Sequence, residues 1–200
     1  MSSFLSGRTI MVTGATSGIG YETARLLAEC GATVLLHGRT AAEARAAVKQ
    51  LLAHYLLTHL LEPALTTEPG GRVVNVSSSM HRTASIMWND PNRTRRYSSL
   101  AAYAQSRLAL TVFAADPRVT AVSVNPGVCE TALRPLYGHE GATPAEGATH
   151  IVRLCDPAVE IVNGAYYDRG ERMEPAAGAT EERTVKRLNK LADQLVGHSV

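Results

Sequence analysis

The hydrophobic pattern is clearest near the N-terminus, where two short apolar runs flank a glycine-rich turn and an amphipathic stretch. The β-branched run Thr9–Thr13 predicts a strand buried on both faces, and the run Thr33–Leu36 predicts a second one. Between them, apolar residues at helical spacing predict a helix that begins near Ile19 and ends at Cys30, with Gly31 as the stop signal. This order of elements is typical of a right-handed, parallel βαβ unit.

The rest of the chain continues the alternation of helices and strands. An Ala- and Leu-rich stretch over residues 41–62 predicts one long helix or two fused ones, ending at Pro63. Residues 78–98 are polar and irregular. Further strands are predicted at Arg72–Ser77, Val119–Val124 and Val162–Tyr167, and further helices at Ser99–Ala115, Pro144–Cys155 and Glu181–Val196. The alternation predicts the α/β class with a doubly wound, parallel sheet.

Length, charge and cysteine content narrow the class of protein. The 200 residues are 45% hydrophobic and predict a single domain over 1–200, with 171–200 as a C-terminal helical tail. A net charge of +2 argues against a nucleic-acid partner. The most apolar run, Leu51–Leu61, is shorter than the about 20 residues of a membrane span. The lack of a secretory pattern and of metal-ligand spacing around the 3 cysteines predicts a cytoplasmic protein with no metal site and no membrane partner.

The glycine-rich turn predicts a phosphate-binding site. It lies between the first strand and the first helix, where backbone N–H groups at the positive end of the helix dipole suit a diphosphate. Glycine is needed wherever a side chain would block the turn or the approach of the ligand. The residues of this turn predicted to bind a dinucleotide cofactor are Gly14, Thr16, Ser17, Gly18, Ile19 and Gly20.

The end of the second strand favours NADP(H) over NAD(H). A site for NAD commonly places a carboxylate there to bind the ribose 2′-hydroxyl. The segment 36–40 contains no carboxylate, and Arg39 is placed to meet a 2′-phosphate. The alternative for Arg39 is a surface residue that begins a loop.

Four segments together resemble the short-chain dehydrogenase/reductase family. They are Thr13–Gly20, Asn75–Ser78, Tyr103–Arg107 and Asn125–Gly127 with Thr131, and they occur in the family's order. The long interval between Ser78 and Tyr103 resembles the retinol-dehydrogenase-like branch, which oxidises or reduces lipophilic alcohols and carbonyls. The resemblance implies a Rossmann-like oxidoreductase that acts on a small lipophilic carbonyl or alcohol.

The reacting groups follow from the chemistry together with this resemblance. A tyrosine hydroxyl can exchange the proton that accompanies hydride transfer if a nearby cation lowers its pKa from about 10. Helical spacing puts Arg107 on the same face as Tyr103. The resemblance makes Tyr103 the proton-transfer residue and Ser78 the carbonyl-binding residue, with Ser77 and Ser79 as alternatives. By the same resemblance, the residues that border the nicotinamide are Pro126, Gly127 and Thr131.

Three features depart from the family pattern. Position 107 is arginine where the family has lysine, and arginine does not easily release a proton. The family's third strand, the following helix and the fourth strand with its Asn-Asn-Ala-Gly motif are missing before the long helix. The asparagine of the family's catalytic tetrad would align near Gln50, at this junction.

The shortened chain can still form a sound topology. Removing two strands from the family order 3-2-1-4-5-6-7 leaves a five-stranded sheet of order 2-1-3-4-5 with right-handed crossovers. The strand before Ser78 then moves about 4.8 Å nearer the phosphate turn. Because catalytic rates are sensitive to displacements of about 1 Å, we expect weakened cofactor binding and poor or absent turnover.

Two other interpretations stay open. The chain could be a non-catalytic nucleotide-binding or sensor protein that keeps only the phosphate turn, or an altered or incomplete sequence whose parent has every strand. An apolar stripe on the long helix packs against its own sheet or, by the family resemblance, builds a homodimer. The stripe consists of Leu52, Tyr55, Leu56 and Leu60, and the histidines interpreted as bystanders are His37, His54 and His81.

Overall fold

The structure is a computed structural model that describes residues 3–38, 47–67, 71–95, 97–133, 137–138 and 140–197. Its contacts divide the chain into two compact units. The first unit comprises Met1–Arg45 and Pro126–Glu160, and the second comprises Ala46–Asn125 and Ile161–Val200. The described residues of both units form α-helices and mainly parallel strands, as expected for the α/β class.

The first unit is built on the predicted βαβ arrangement. β1 (Thr9–Thr13) pairs in parallel with β2 (Thr33–His37), and α1 (Gly18–Glu29) connects the two strands. α4 (Pro144–Cys155) packs against α1 and begins at Pro144 as predicted, because a capping box of Thr143 and Glu146 satisfies its first turn. The buried core of this unit contains Leu5, Val12, Ala15, Ala24, Leu27 and Val152.

Among the described residues, the second unit contains a four-stranded sheet and three α-helices, of which α3 packs against the sheet. Its elements are α2 (Ala47–Thr67), β3 (Val73–Val76), a 3-10 helix (Ser79–Thr83), α3 (Ser99–Ala114), β4 (Ala121–Asn125), β5 (Tyr166–Asp168), β6 (Glu171–Met173) and α5 (Glu182–Val196). β3, β4 and β5 run in parallel, and β6 is antiparallel to β5. α2, α3 and α5 pack against one another around Tyr55, Val112 and Leu188.

The predicted strand order is present in two sheets instead of one. β2 pairs with β1 in the first sheet, and β3, β4 and β5 lie side by side in that order in the second. These strand neighbours are the predicted ones. The single five-stranded sheet is not what the described strands form. It required direct pairing of β1 with β3. By the family resemblance, a strand that is predicted to be missing from this chain lies between these two positions.

The predicted end of α2 at Pro63 was wrong. The helix is 21 residues long and continues through Pro63 to Thr67. Leu65, beyond the proline, packs against a buried cluster of Ala114, Val119 and Ala121, which holds the last turn in place. Although α2 is long, none of the helices in the described ranges is long and apolar enough to cross a membrane.

The predicted last strand was also too long, and a strand after it was missed. β5 covers only residues 166–168 of this region, and it turns back into the exposed strand β6. Residues 78–98, predicted to be irregular, contain the 3-10 helix.

Candidate functional site

The glycine turn of the first unit leaves backbone donors at the start of α1. Ser17 is the N-cap residue, and its side chain makes no capping hydrogen bond within the described part of the chain. The first N–H groups of a helix need a cap, water or a ligand, so this terminus can accept an anion. A Cβ added to Gly20 would overlap the carbonyl group of Gly14, so that only glycine fits there. Thr16 is exposed and Ile19 is half-buried. The turn therefore fits a diphosphate.

The end of β2 lies against this turn. The Ala15 amide donates to the His37 carbonyl oxygen at 3.1 Å. A Cβ added to Gly38 would overlap the Thr16 side chain, so the chain leaves β2 in contact with the turn. Arg39, the residue predicted to meet a 2′-phosphate, lies outside the described residues, and its role stays a prediction.

The segment after β4 reaches the same turn. A Cβ added to Gly18 would lie 3.2 Å from the Thr131 methyl carbon, so these two residues are neighbours. The Thr131 hydroxyl accepts a hydrogen bond from the Leu133 amide at 3.2 Å. Pro126 is buried and Gly127 is half-buried where this segment begins. The first unit thus brings Thr131 together with the predicted phosphate turn.

Ser78 lies in the second unit, directly after β3. Its side chain is 1% exposed and accepts a hydrogen bond from the Met80 amide at 3.2 Å, which caps the 3-10 helix. Its neighbours are placed differently. The Ser77 hydroxyl donates to the Arg107 carbonyl oxygen at 3.0 Å, and Ser79 is exposed.

Tyr103 and Arg107 lie on α3 and contact each other, as helical spacing predicts. The Arg107 guanidinium carbon is 4.8 Å from the centroid of the Tyr103 ring. Its Nη1 donates to the Val76 carbonyl oxygen at 2.7 Å, which joins α3 to β3. The 3-10 helix that follows Ser78 packs against α3, so Ser78, Tyr103 and Arg107 belong to one packed group of elements.

His81, interpreted from sequence as a bystander, is hydrogen-bonded to Ser78. Its fully buried ring lies with Nδ1 2.7 Å from the Ser78 carbonyl oxygen, and its Nε2 accepts from the Ala176 amide at 2.9 Å. The sequence offered one weak signal, since a residue three positions after a helix cap can bond back to that cap. Nothing in the sequence indicated that the Ala176 amide would be the second partner of His81.

The comparison with known sequences identifies the family. The sequence model of short chain dehydrogenases matches residues 8–57. Human retinol dehydrogenase 13 is 25% identical over an alignment of 288 residues, which covers 96% of this chain and 86% of the relative. Mouse polyprenol dehydrogenase is 35% identical over 167 residues, covering 68% of this chain and 49% of the relative. The chain belongs to the short-chain dehydrogenase/reductase family. The predicted likeness to its retinol dehydrogenases is confirmed.

Solved structures confirm the Rossmann-like α/β fold of this short-chain dehydrogenase/reductase. An uncharacterized protein from Mycobacterium paratuberculosis aligns with a TM-score of 0.73 at 23% identity, covering 98% of this chain and 97% of that chain. A short chain dehydrogenase from Shigella flexneri, complexed with NADP, aligns with a TM-score of 0.61 at 21% identity, covering 86% of this chain and 100% of that chain. The family is one of NAD(P)-binding oxidoreductases.

The sequence alignment also bears on the missing strands. The alignment with retinol dehydrogenase 13 extends over 288 residues, whereas this chain has 200. The relative therefore contains residues without a counterpart in this chain, in agreement with the predicted loss of an internal segment.

Proposed function

We propose that this short-chain dehydrogenase/reductase uses NADP(H) to interconvert a lipophilic alcohol and its carbonyl, at a rate reduced by the missing segment. The observation that carries the proposal is the glycine turn at the start of α1, where the Ser17 side chain makes no capping hydrogen bond to the described residues and Thr131 lies beside the turn. NADP is favoured over NAD because residues 36–40 contain no carboxylate and include Arg39. The names of the relatives, retinol and polyprenol dehydrogenases, support a lipophilic substrate.

The proposal gives each reacting residue one task. The bound nicotinamide would supply or accept the hydride. Ser78 would donate a hydrogen bond to the substrate oxygen, and the Tyr103 hydroxyl would give or take the proton. Arg107 would hold the Tyr103 ring from above while its own position is fixed by the Val76 carbonyl.

A non-catalytic nucleotide-binding protein is the second candidate. Two observations favour it: Ser78 is 1% exposed, and Arg107 already donates to a backbone carbonyl. In this case the turn binds the nucleotide, and Tyr103 has no chemical task.

We also propose the location, domain organisation and oligomeric state that the sequence predicts. They are a cytoplasmic location, a single dinucleotide-binding domain over 1–200 and a homodimer formed through α2. Tyr55 is buried inside the second unit, whereas Leu60 is 65% exposed, so a dimer would use the outer end of the apolar stripe.

Titration with NADPH, followed by its fluorescence, tests the turn through a matched pair of variants. Gly14 and Gly138 have φ of +69° and +71°, and at either position an added Cβ meets no atom of the described residues within 4 Å. Alanine therefore costs similar backbone strain at both, about 1 kcal/mol. We expect Gly14→Ala to weaken NADPH binding about tenfold or more and Gly138→Ala to leave it unchanged. Equal affinities would contradict the assignment of the turn.

The same preparations separate the two candidate functions. With a lipophilic aldehyde such as retinal, Tyr103→Phe should reduce NADPH oxidation about 100-fold without changing NADPH affinity. Tyr97→Phe, at an exposed tyrosine of the same unit, is the control and should not change the rate. Two results would favour the non-catalytic protein. One is a rate of NADPH oxidation in Tyr103→Phe equal to that of the unmodified protein, and the other is no NADPH oxidation by the unmodified protein although it binds NADPH tightly.

A further inference from the structure

Two neighbouring residues of the 3-10 helix tie the Ser78 segment to the chain before α5. The Ala176 amide is a donor, so the Nε2 that receives it must be unprotonated. The proton of neutral His81 is then on Nδ1, which donates to the Ser78 carbonyl oxygen at 2.7 Å. Arg82 donates to the carbonyl oxygens of Glu174 and Pro175. We call His81, Arg82 and residues 174–176 the latch.

The latch is packed from a third side by β5. The His81 ring lies 4.5 Å from the Tyr166 ring, and the Arg82 guanidinium carbon lies 5.4 Å from the centroid of that same ring. His81 and Tyr166 are both fully buried, so neither ring can move without opening a cavity. The latch therefore fixes the peptide group of Ser78 from the C-terminal part of the chain.

We propose that His81 is a positioning residue, which in its neutral form holds Ser78 in place by joining it to residues 174–176. The inference rests on the proposed function, because it assigns Ser78 the task of binding the substrate oxygen. It also predicts a structural effect of His81 that does not require any activity.

The charge state of His81 decides whether the latch holds. A proton on Nε2 would face the Ala176 N–H, so a hydrogen bond would be replaced by two opposed donors. Burial lowers the pKa of His81, and Arg82 lowers it further, while the Ser78 carbonyl and Asp168 raise it. The other titratable side chains on the segments packed against it are Tyr166 and Tyr167 on β5, Tyr103 and Arg107 on α3, and Glu174 in the latch.

The direction of the pH effect follows from this lowered pKa. The neutral form is favoured in the folded protein, so its stabilising contribution is complete above the unfolded pKa of about 6.5. The contribution is lost as the pH falls toward and through the lower folded pKa. Activity that depends on the latch should fall over the same acidic range.

Two substitutions of His81 separate hydrogen bonding from ring packing. Glutamine can donate to the Ser78 carbonyl and accept from the Ala176 amide, but it does not titrate. Phenylalanine fills the same space and loses both hydrogen bonds. His150→Gln, on α4 of the first unit, is the matched control for a histidine outside the latch.

The experiment measures the turnover number with NADPH and retinal, and the thermal midpoint, from about pH 5 to about pH 8. We expect the unmodified protein and His150→Gln to lose turnover on the acidic side. His81→Gln should lack this acidic loss, and His81→Phe should be about tenfold slower near neutral pH at unchanged NADPH affinity. An acidic loss retained in His81→Gln, or full turnover in His81→Phe, would overturn the proposal.

The thermal midpoints distinguish failure of the inference from failure of the proposed function. If neither the unmodified protein nor any of the variants oxidises NADPH, the proposed function fails. The thermal midpoints alone then test the latch. The midpoint of the unmodified protein should then fall more steeply toward acid than that of His81→Gln. Equal slopes would overturn the latch whatever the activity.

Discussion

Three consecutive serines after β3 have three different environments. Ser77 binds the Arg107 carbonyl at 3.0 Å and lies 2.8 Å from the Thr111 hydroxyl, so it anchors the strand to α3. Ser78 is buried and caps the 3-10 helix, whereas Ser79 is exposed. The Ser77 hydroxyl could bind a substrate only by giving up these contacts with α3. This supports Ser78 as the residue that binds the substrate oxygen.

Alanine substitutions at two of these serines test that assignment. Ser78→Ala should lower the turnover number about 100-fold, because a donor to the substrate oxygen is lost. It should also lower the free energy of unfolding by about 1 kcal/mol, since the Met80 amide loses its acceptor. Ser79→Ala, at the exposed neighbour, should change stability by less than about 0.5 kcal/mol. NADPH oxidation and urea unfolding provide both quantities, and equal turnover in the two variants would remove Ser78 from the site.

Single residues were predictable from sequence where local spacing decides their contacts. Four positions along a helix place Arg107 against Tyr103, and the structure has this contact. The bond between His81 and Ala176 joins positions 95 apart in the chain, and no local pattern indicates such a pair. The choice among the serines likewise depends on which of them faces α3.

At the scale of elements, α2 shows tertiary packing overriding a local signal. Proline removes one helical hydrogen bond and commonly ends a helix, which is why sequence predicted an end at Pro63. In the structure, the last turn is held by Leu65 in its buried cluster. The Thr66 and Thr67 hydroxyls also donate to the carbonyl oxygens of Glu62 and Pro63, each at 2.8 Å. The proline is tolerated because these contacts offset its cost.

The same substitution should therefore stabilise the protein at Pro63 and not at Pro144. Pro63→Ala restores a backbone N–H inside α2 and should raise the free energy of unfolding by about 1–3 kcal/mol. Pro144→Ala, at the start of α4, removes a favourable first-turn residue and should lower it by about 0.5 kcal/mol or leave it unchanged. Urea unfolding measures both changes. A loss of stability in Pro63→Ala would mean that the proline has a structural role in α2.

β6 shows a different limit of local prediction. The turn between β5 and β6 has Arg169 at φ of +48° and Gly170 at +88°, as in a hairpin turn of type I′. The usual signal for such a turn is Asn-Gly or Asp-Gly, and arginine rarely adopts this backbone conformation. The following strand is exposed and polar, so its residues carried no hydrophobic pattern.

At the scale of the whole molecule, the motifs and most element positions were predictable because each strand–helix pair has its own periodicity. The division into two sheets was not, since pairing between distant strands depends on which strands exist to fill the sheet. The alignment with retinol dehydrogenase 13, longer than this chain, shows that the relative has residues without a counterpart in this protein, as the predicted loss of strands requires.

Restoring the missing strands should therefore improve cofactor binding as well as turnover. The variant inserts between β2 and α2 the stretch of human retinol dehydrogenase 13 that has no counterpart in this chain. We expect it to bind NADPH about tenfold more tightly or better, because the added strands supply adenine and ribose contacts, and to oxidise NADPH faster with retinal. Fluorescence titration and the rise of the thermal midpoint with NADPH measure the affinity independently.

A Gly/Ser linker of the same length at the same position is the matched control. Such a linker behaves as a flexible coil, and each doubling of loop length costs only about 0.6 kcal/mol, so the control should fold and bind NADPH no better than the unmodified protein. If the linker and the restored strands gave equal affinity and turnover, the shortened sheet would not be what limits this protein. The cause would then lie in residues that the chain retains, and Arg107, where the family has lysine, would be the first of them to replace.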